Sequence, residues 1–137
     1  MAKLVLDDFY DFDFILIGIS CHAKDYKLAW AINKELGWDF ERIEDLELQN
    51  KNEEAYFSFY AFEQEEDFRS YYLISNRSNK GFLVPERKEI DYFLELKGEF
   101  EEERIDRIKN RIKEINVVLM SFEIDPQELK SRNNLLI

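Results

Sequence analysis

The sequence contains one adjacent pair of residues that could act as nucleophile and base, Cys21 and His22. Nucleophilic catalysis needs two such side chains within hydrogen-bonding distance, and a zinc site needs three or four ligands of this kind. Neighbouring residues on a strand point to opposite faces of a sheet, so this pair is badly placed for either task. The chain has no second cysteine or histidine. We therefore interpret Cys21 as core packing and expect no metal and no cofactor.

Acidic and basic side chains give equally little indication of catalysis. Paired carboxylates can hydrolyse glycosides, but with 30 Asp and Glu among 137 residues such pairs arise by chance. Arg69, Arg77 and Arg87 either bind an anion together or pair with neighbouring acids, and we expect the pairing. The segment NRSNKG lacks the spacing of a phosphate-binding loop. With no catalytic motif in the chain, we expect a protein that is not an enzyme.

A proline and several polar residues separate two apolar runs in GFLVPERKEIDYFLELKG, residues 81–98. Proline has no N–H group for a sheet ladder, so Pro85 predicts a kinked connection or an edge segment. The run after it predicts a strand, with Ile90, Tyr92, Leu94 and Leu96 on one face and Asp91, Phe93 and Glu95 on the other. Either Glu86 is solvated and Asp91 bonds nearby backbone N–H groups at a turn, or both acids form a ligand site with Tyr92.

Within this segment, VPERKEIDY at 84–92 resembles the signature of the bacterial IPExxxVDY family. Val84 and Ile90 replace the isoleucine and valine of that signature. The positions that match outright are Pro85, Glu86, Asp91 and Tyr92. The segments LAWAINKELG, YYLISNRS and IDPQELKSRNNLLI are also similar to the family, so the resemblance spans nearly the whole chain. It implies a small cytoplasmic protein of a family that has no established activity and tends to be encoded beside fatty-acid-synthesis and ribonuclease III genes.

Apolar residues at helical spacing predict two helices that would support these segments. The first has a stripe made of Leu28, Ile32 and Leu36, widened by Tyr26, Ala29 and Trp30. Gly37 follows this stripe as a helix C-cap. The second helix has a stripe made of Ile105, Ile108, Ile112 and Ile115. Near the end of the chain, Asp125 and Pro126 predict a capped short helix.

Alternating residues predict the strands. The strongest signal is AYFSFYAFEQ at 55–64, with Tyr56, Tyr60 and Phe62 on one face and Phe57 and Phe59 on the other. The acidic turn EQEED joins it to a hairpin partner, FRSYYLIS, and NVVLMSFEI predicts a later strand. In the strand before it, Ile43 is out of phase with Leu46, which predicts a turn or bulge near Asp45. At the start, DDFYDFDF and then ILIGISC predict a strand or a hairpin.

This order of elements predicts one α+β domain over residues 1–137. We expect a mainly antiparallel sheet of five to seven strands, two long helices packed on one face, and a short C-terminal helix. The strand–helix–strand order of residues 90–124 predicts a parallel pair with a right-handed connection.

The charge of the chain limits its partners. The formal net charge is −11, which repels nucleic-acid backbones and anionic membranes and favours basic partners or simple solubility. A single cysteine fits a reducing compartment. We find no secretory signal and no apolar run of membrane-spanning length, so we expect a cytoplasmic protein.

Two functions remain open. The first is an acidic protein-binding or adaptor module, because aromatic residues are abundant and catalytic motifs are missing. Its partner would be a basic protein, or a second copy through the aromatic strand that carries Tyr56 and Tyr60. The implied gene neighbourhood favours ribonuclease III or RNA maturation over fatty-acid synthesis, since acyl carrier protein is itself acidic. The alternative is a small-molecule-binding protein or cryptic enzyme with a site around Glu86, Asp91 and Tyr92.

Overall fold

The computed structural model describes residues 14–50 and 53–137, which have an α+β fold. The strands are β1 (Ile15–Cys21), β2 (Glu41–Asn50), β3 (Glu53–Gln64), β4 (Arg69–Ser75), β5 (Arg77–Ser78), β6 (Gly81–Phe82), β7 (Tyr92–Lys97) and β8 (Val118–Ile124). The helices are α1 (Asp25–Leu36) and α2 (Glu102–Lys113). Short 3-10 turns occupy Glu65–Asp67, Pro126–Glu128 and Arg132–Leu135. The alternating segment DDFYDFDF lies outside the described residues, apart from Phe14.

Six strands form one sheet in the order β2–β3–β4–β7–β1–β8, and all neighbours are antiparallel. The predicted α+β class and mainly antiparallel sheet are confirmed. The strands on either side of α2, β7 and β8, run in the same direction but do not pair, because β1 lies between them. The expected parallel orientation of the two strands is thus confirmed, although they are not neighbours in the sheet. Strand β1 is apolar along nearly its whole length, and a position between two neighbours buries it.

One face of the sheet packs against both helices. The buried cluster on this face includes Leu28 and Ile32 from α1, Ile108 and Ile112 from α2, and Ile17, Ile19, Tyr71, Leu73 and Leu94 from the strands. Tyr26 and Trp30, which we expected to widen the stripe of α1, are instead 56% and 63% exposed. Each lies two residues from Leu28, about 200° around the helix, so neither can face the sheet.

The opposite face is covered by irregular segments of the same chain. Phe57 and Phe59 are buried there with Ile74 and Phe93 from the strands, Leu83, Val84 and Ile90 from the β6–β7 connection, and Leu129 and Leu135 from the C-terminal residues. Residues of the same chain, including Leu135 of the C-terminal tail, thus cover the face of β3 that carries Phe57 and Phe59. The position expected for Ile90 is wrong, because this residue precedes β7 and packs on the face opposite to Tyr92.

Several local expectations agree with the structure. The register between β2 and β3 shifts between Ile43 and Leu46, as expected for the bulge. Pro85 lies in the irregular connection before β7. The short C-terminal helix is replaced by two 3-10 turns, although Asp125 caps the first by accepting a hydrogen bond from the Gln127 N–H at 3.0 Å. Leu129 ends this turn in an extended conformation because its side chain enters the core.

Candidate functional site

Asp91 joins three parts of the fold through its carboxylate. Its Oδ2 accepts a hydrogen bond from the backbone N–H of Cys21 at 2.7 Å, at the end of β1. Its Oδ1 accepts one from Nε of Arg77, also at 2.7 Å. The side chain is buried, so these partners replace the water that an ionised carboxylate requires. Both oxygens of Asp91 are thus used to hold neighbouring segments.

Tyr92 acts on the same turn from the helix-covered face. Its hydroxyl donates a hydrogen bond to the carbonyl oxygen of Ala23 at 2.7 Å. Burial is the main cause, and the negative charge of Asp25 the second, that raises the pKa of Tyr92 far above its usual range. The hydroxyl therefore keeps its proton. Together Asp91 and Tyr92 fix the turn between β1 and α1, residues 21–24.

Glu86 lies apart from this turn. Its carboxylate accepts hydrogen bonds from the N–H and the hydroxyl of Ser131, at 2.7 and 2.8 Å. Burial opposes ionisation of Glu86, but the bonds from Ser131 outweigh it and lower the pKa of the carboxyl. Arg87 pairs with Glu89 at 2.7 Å. Glu86 thus belongs to the contact with the C-terminal residues, whereas Asp91 and Tyr92 hold the turn at residues 21–24, so the predicted cluster of these three side chains does not form.

Asn76 is a residue that the sequence analysis did not single out. It is fully buried, and its side-chain amide donates hydrogen bonds to the carbonyl oxygens of Arg87 and Ile90 and accepts one from the Val84 N–H. Its own N–H donates to the Asp91 carbonyl oxygen. Asn76 therefore closes the 76–91 loop. In the sequence it stands in a polar stretch that indicates only a loop.

An open groove runs along the turn that Asp91 and Tyr92 hold. One half has a volume of about 390 Å³ and is lined by Cys21, His22, Ala23, Lys24, Ser75, Arg77, Asp91 and Tyr92. The other half, about 350 Å³, is lined by Lys24, Asp25, Arg42, Asp45, Tyr56, Ser58, Ser75, Arg77 and Tyr92. Because the halves share lining residues, we treat them as one feature, the β1–α1 groove.

Ion pairs occupy most charges of the β1–α1 groove. Arg42 contacts Asp45 at 3.0 Å and Asp25 at 3.4 Å. Arg77 contacts Asp91, as described above. Lys24 is exposed and forms no ion pair within residues 14–50 and 53–137. It is the cation of the groove that is most available to a partner.

Tyr56 and Tyr60 have different environments in β3. Tyr56 is 51% exposed in the groove, and its hydroxyl donates to Glu54 at 2.6 Å, which raises the pKa of Tyr56 to about 12. Tyr60 is buried, with the Arg42 guanidinium 5.9 Å above the centre of its ring. The groove brings together six residues singled out from the sequence: Cys21, His22, Tyr56, Arg77, Asp91 and Tyr92.

The three arginines considered from the sequence do not form a cluster. Arg69 pairs with Asp67 at 3.8 Å, and Arg77 and Arg87 pair with their own acids. The expectation that each pairs with a neighbouring acid is confirmed. Cys21 is buried, and burial raises the pKa of its thiol, which leaves it protonated and unreactive. The described part of the chain holds no group of three or more His, Cys, Asp and Glu side chains arranged for a metal ion.

Comparisons with known proteins add no identification. No protein-family model and no curated protein sequence matches the chain. The resemblance of residues 84–92 to the IPExxxVDY signature stays a prediction. Neither helix in the described ranges is long and apolar enough to cross a bilayer.

Proposed function

We propose that the protein is a non-catalytic, cytoplasmic binding module that recognises a partner protein through the β1–α1 groove. The observation that carries this proposal is the lining of the groove, which combines exposed Tyr56 with Arg42, Arg77 and exposed Lys24. Tyrosine and arginine dominate the binding energy of many protein interfaces because they combine apolar area with polar groups. The groove offers such groups side by side on one surface.

The signature residues support binding by making the groove rigid. Asp91 and Tyr92 hold residues 21–24 through hydrogen bonds, so the wall of the groove is in place before a partner arrives. A preformed surface loses less conformational entropy on binding. The same bonds argue against catalysis, because Asp91 is fully engaged and Tyr92 keeps its proton. We infer that residues 84–92 serve as a scaffold in this protein and in the family it resembles.

The overall charge indicates the chemistry of the partner. A net charge of −11 attracts basic proteins from a distance and makes association sensitive to salt. The exposed Lys24 ammonium, which forms no ion pair within the described ranges, then favours an acidic group at the centre of the partner surface. A basic protein with an acidic anchor fits both conditions. Ribonuclease III, which the family resemblance implies as a gene neighbour, is the partner that we propose to test first.

The test uses the tagged full chain and purified ribonuclease III of the same host, with calorimetry at low and at high salt. We expect binding that weakens with salt and that is lost in the double variant Lys24→Glu, Tyr56→Ser. The matched control is Lys113→Glu, Phe68→Ser, which changes exposed residues that do not line the groove. A pull-down from the host lysate, read by mass spectrometry, extends the test to other basic proteins. Equal capture of partners by both double variants would contradict the groove proposal.

A second candidate function follows from the size of the groove. The half around Asp91 has a volume of about 390 Å³, within the range of small-ligand sites. A small molecule with a carboxylate would meet Lys24 and Arg77 there. This candidate differs from the site first expected, because Glu86 does not line the groove. Binding of metabolites to the purified chain without any protein partner would favour it.

A further inference from the structure

A second cleft, remote from the β1–α1 groove, lies between the end of α1 and one side of α2. It has a volume of about 260 Å³, and its lining includes Arg104, Arg107 and Arg111 together with Glu35 and Trp38. The arginines are spaced by three and four residues, so they lie on one side of the helix. Three guanidinium groups thus face a single carboxylate, in a protein whose net charge is −11.

The three arginines are held to different degrees. Arg111 is fixed by Glu35, whose carboxylate accepts from Nε at 3.0 Å and whose carbonyl oxygen accepts from the other end of the guanidinium at 2.9 Å. Arg104 lies 6.0 Å from the centre of the Phe100 ring, interacts with the Tyr71 hydroxyl, and forms no ion pair within residues 14–50 and 53–137. Arg107 is exposed, and its guanidinium makes no hydrogen bond or ion pair to any residue in the described ranges. Among the described residues, the cleft therefore has two guanidinium groups that form no ion pair with an acid.

This arrangement suits an anion that accepts several hydrogen bonds. A guanidinium presents its N–H donors in a planar fork that matches the oxygens of phosphate, and two forks can hold one phosphoryl group from different sides. Arg111 is already anchored and so loses little freedom on binding. Half-buried Trp38 adds an apolar wall beside the charges. The volume suits a phosphoryl group with a small substituent better than a large cofactor.

We propose that the cleft lined by Arg104, Arg107, Arg111 and Trp38 is a binding site for small phosphorylated molecules. The phosphoryl group lies between Arg104 and Arg107, Arg111 supports it from the next turn of α2, and the rest of the ligand lies against Trp38. The general expectation from net charge, that phosphate is repelled, does not hold at this place because the local charges are reversed.

Trp38 provides the measurement. The chain has two tryptophans, so Trp30→Phe leaves Trp38 as the single tryptophan, which is excited selectively over the tyrosines at the red edge of the absorption band. The full chain with this change is titrated with inorganic phosphate, pyrophosphate and adenosine monophosphate at constant ionic strength, with sodium chloride as blank. We expect a saturable change of fluorescence and a matching heat of binding. Tighter binding of the nucleotide than of phosphate assigns a role to the apolar wall, and equal binding assigns recognition to the phosphoryl group alone.

Two variants test the assignment to arginine. Arg107→Gln should weaken binding about tenfold or more, since a hydrogen-bonded charge is lost from a residue that supports nothing else in the fold. Lys113→Gln makes the same change of charge on the same helix outside the cleft, and it should leave the affinity within about twofold. Equal weakening by both variants would reduce the effect to general attraction and overturn the proposal. So would the lack of saturable binding in both fluorescence and calorimetry.

Discussion

The protonation of Glu95 is set by the burial of its side chain. It lies in the middle of β7, fully buried, and neither carboxylate oxygen has a hydrogen-bond partner within the described ranges. Burial raises the pKa of Glu95 to about 8, against a weaker opposing effect of Lys97. At neutral pH the side chain is therefore largely the neutral acid, which costs less to bury than a carboxylate.

A raised pKa in the folded state makes stability depend on pH in a definite direction. The folded chain holds a proton on Glu95 between pH 4.5, the ordinary value, and about 8, whereas the unfolded chain has released it. The free energy of unfolding should thus fall by up to about 1.4 kcal/mol per pH unit as pH rises through this window. Glu95→Gln should remove this slope in urea melts at pH 5 to 8.5. The exposed control Glu123→Gln should keep it, and a slope unchanged in Glu95→Gln would contradict the assignment.

The sequence predicts on which face Glu95 lies but not that this face is buried. Alternation along β7 puts Glu95 beside Phe93, as the structure shows. The cover over that face comes from residues 83–90 and 129–135, which are distant in sequence and lack regular periodicity. The role of Asn76 could not be predicted either, because it depends on carbonyl groups that only the folded loop brings close to this side chain.

At the scale of elements, the turn between β1 and α1 depends on contacts from another strand. Lys24 is the N-cap residue of α1, and its side chain makes no capping hydrogen bond. The turn is instead held by the Asp91 carboxylate at the Cys21 N–H and by the Tyr92 hydroxyl at the Ala23 carbonyl oxygen. The start of α1 is thus tied to β7 rather than stabilised locally.

Because Asp91 holds this turn, we expect its removal to lower the free energy of unfolding strongly. Asp91→Ala leaves the Cys21 N–H unsatisfied and Arg77 without its acid, and we expect the free energy of unfolding to fall by about 3 kcal/mol. Asp106→Ala, which removes an exposed partner of Lys109, should cost less than about 0.5 kcal/mol. Urea melts give both values. Amide exchange should also accelerate at residues 21–24 in Asp91→Ala, and a loss spread evenly over the chain would argue against a local tie.

Periodicity predicts which segments form helices and strands better than it predicts which of these elements lie next to each other. The stripes of Leu28 and Ile32 and of Ile108 and Ile112 mark helices that the structure contains, because burial of one helix side imposes that spacing. The place of β1 between β7 and β8 could not be predicted, since an apolar strand satisfies any central position. The groove likewise depends on which turns meet, although Arg77, Asp91 and Tyr92 were predicted to matter.

At the scale of the whole molecule, both faces of the central sheet are covered by one chain. The helices cover one face, and the β6–β7 connection with the C-terminal residues covers the other. Within the second of these covers, Glu86 links the β6–β7 connection to the C-terminal residues by accepting hydrogen bonds from Ser131. The strand AYFSFYAF, apolar on both faces, is therefore explained without a second copy of the chain. Among the aromatic side chains of this strand, that of Tyr56 is more than half exposed.

Serine substitutions in β3 test whether its aromatic side chains are covered by the same chain or by a second copy of the chain. Phe57 and Phe59 are buried in the second cluster, so Phe57→Ser and Phe59→Ser should each lower the free energy of unfolding by about 3 kcal/mol or more. Tyr56→Ser is the matched control in the same strand and should cost less than about 1 kcal/mol. Denaturant melts give these values, and light scattering gives the mass of each folded variant. We expect a monomeric wild type. A dimeric wild type that Phe57→Ser converts into stable monomers would instead identify the aromatic strand as an interface.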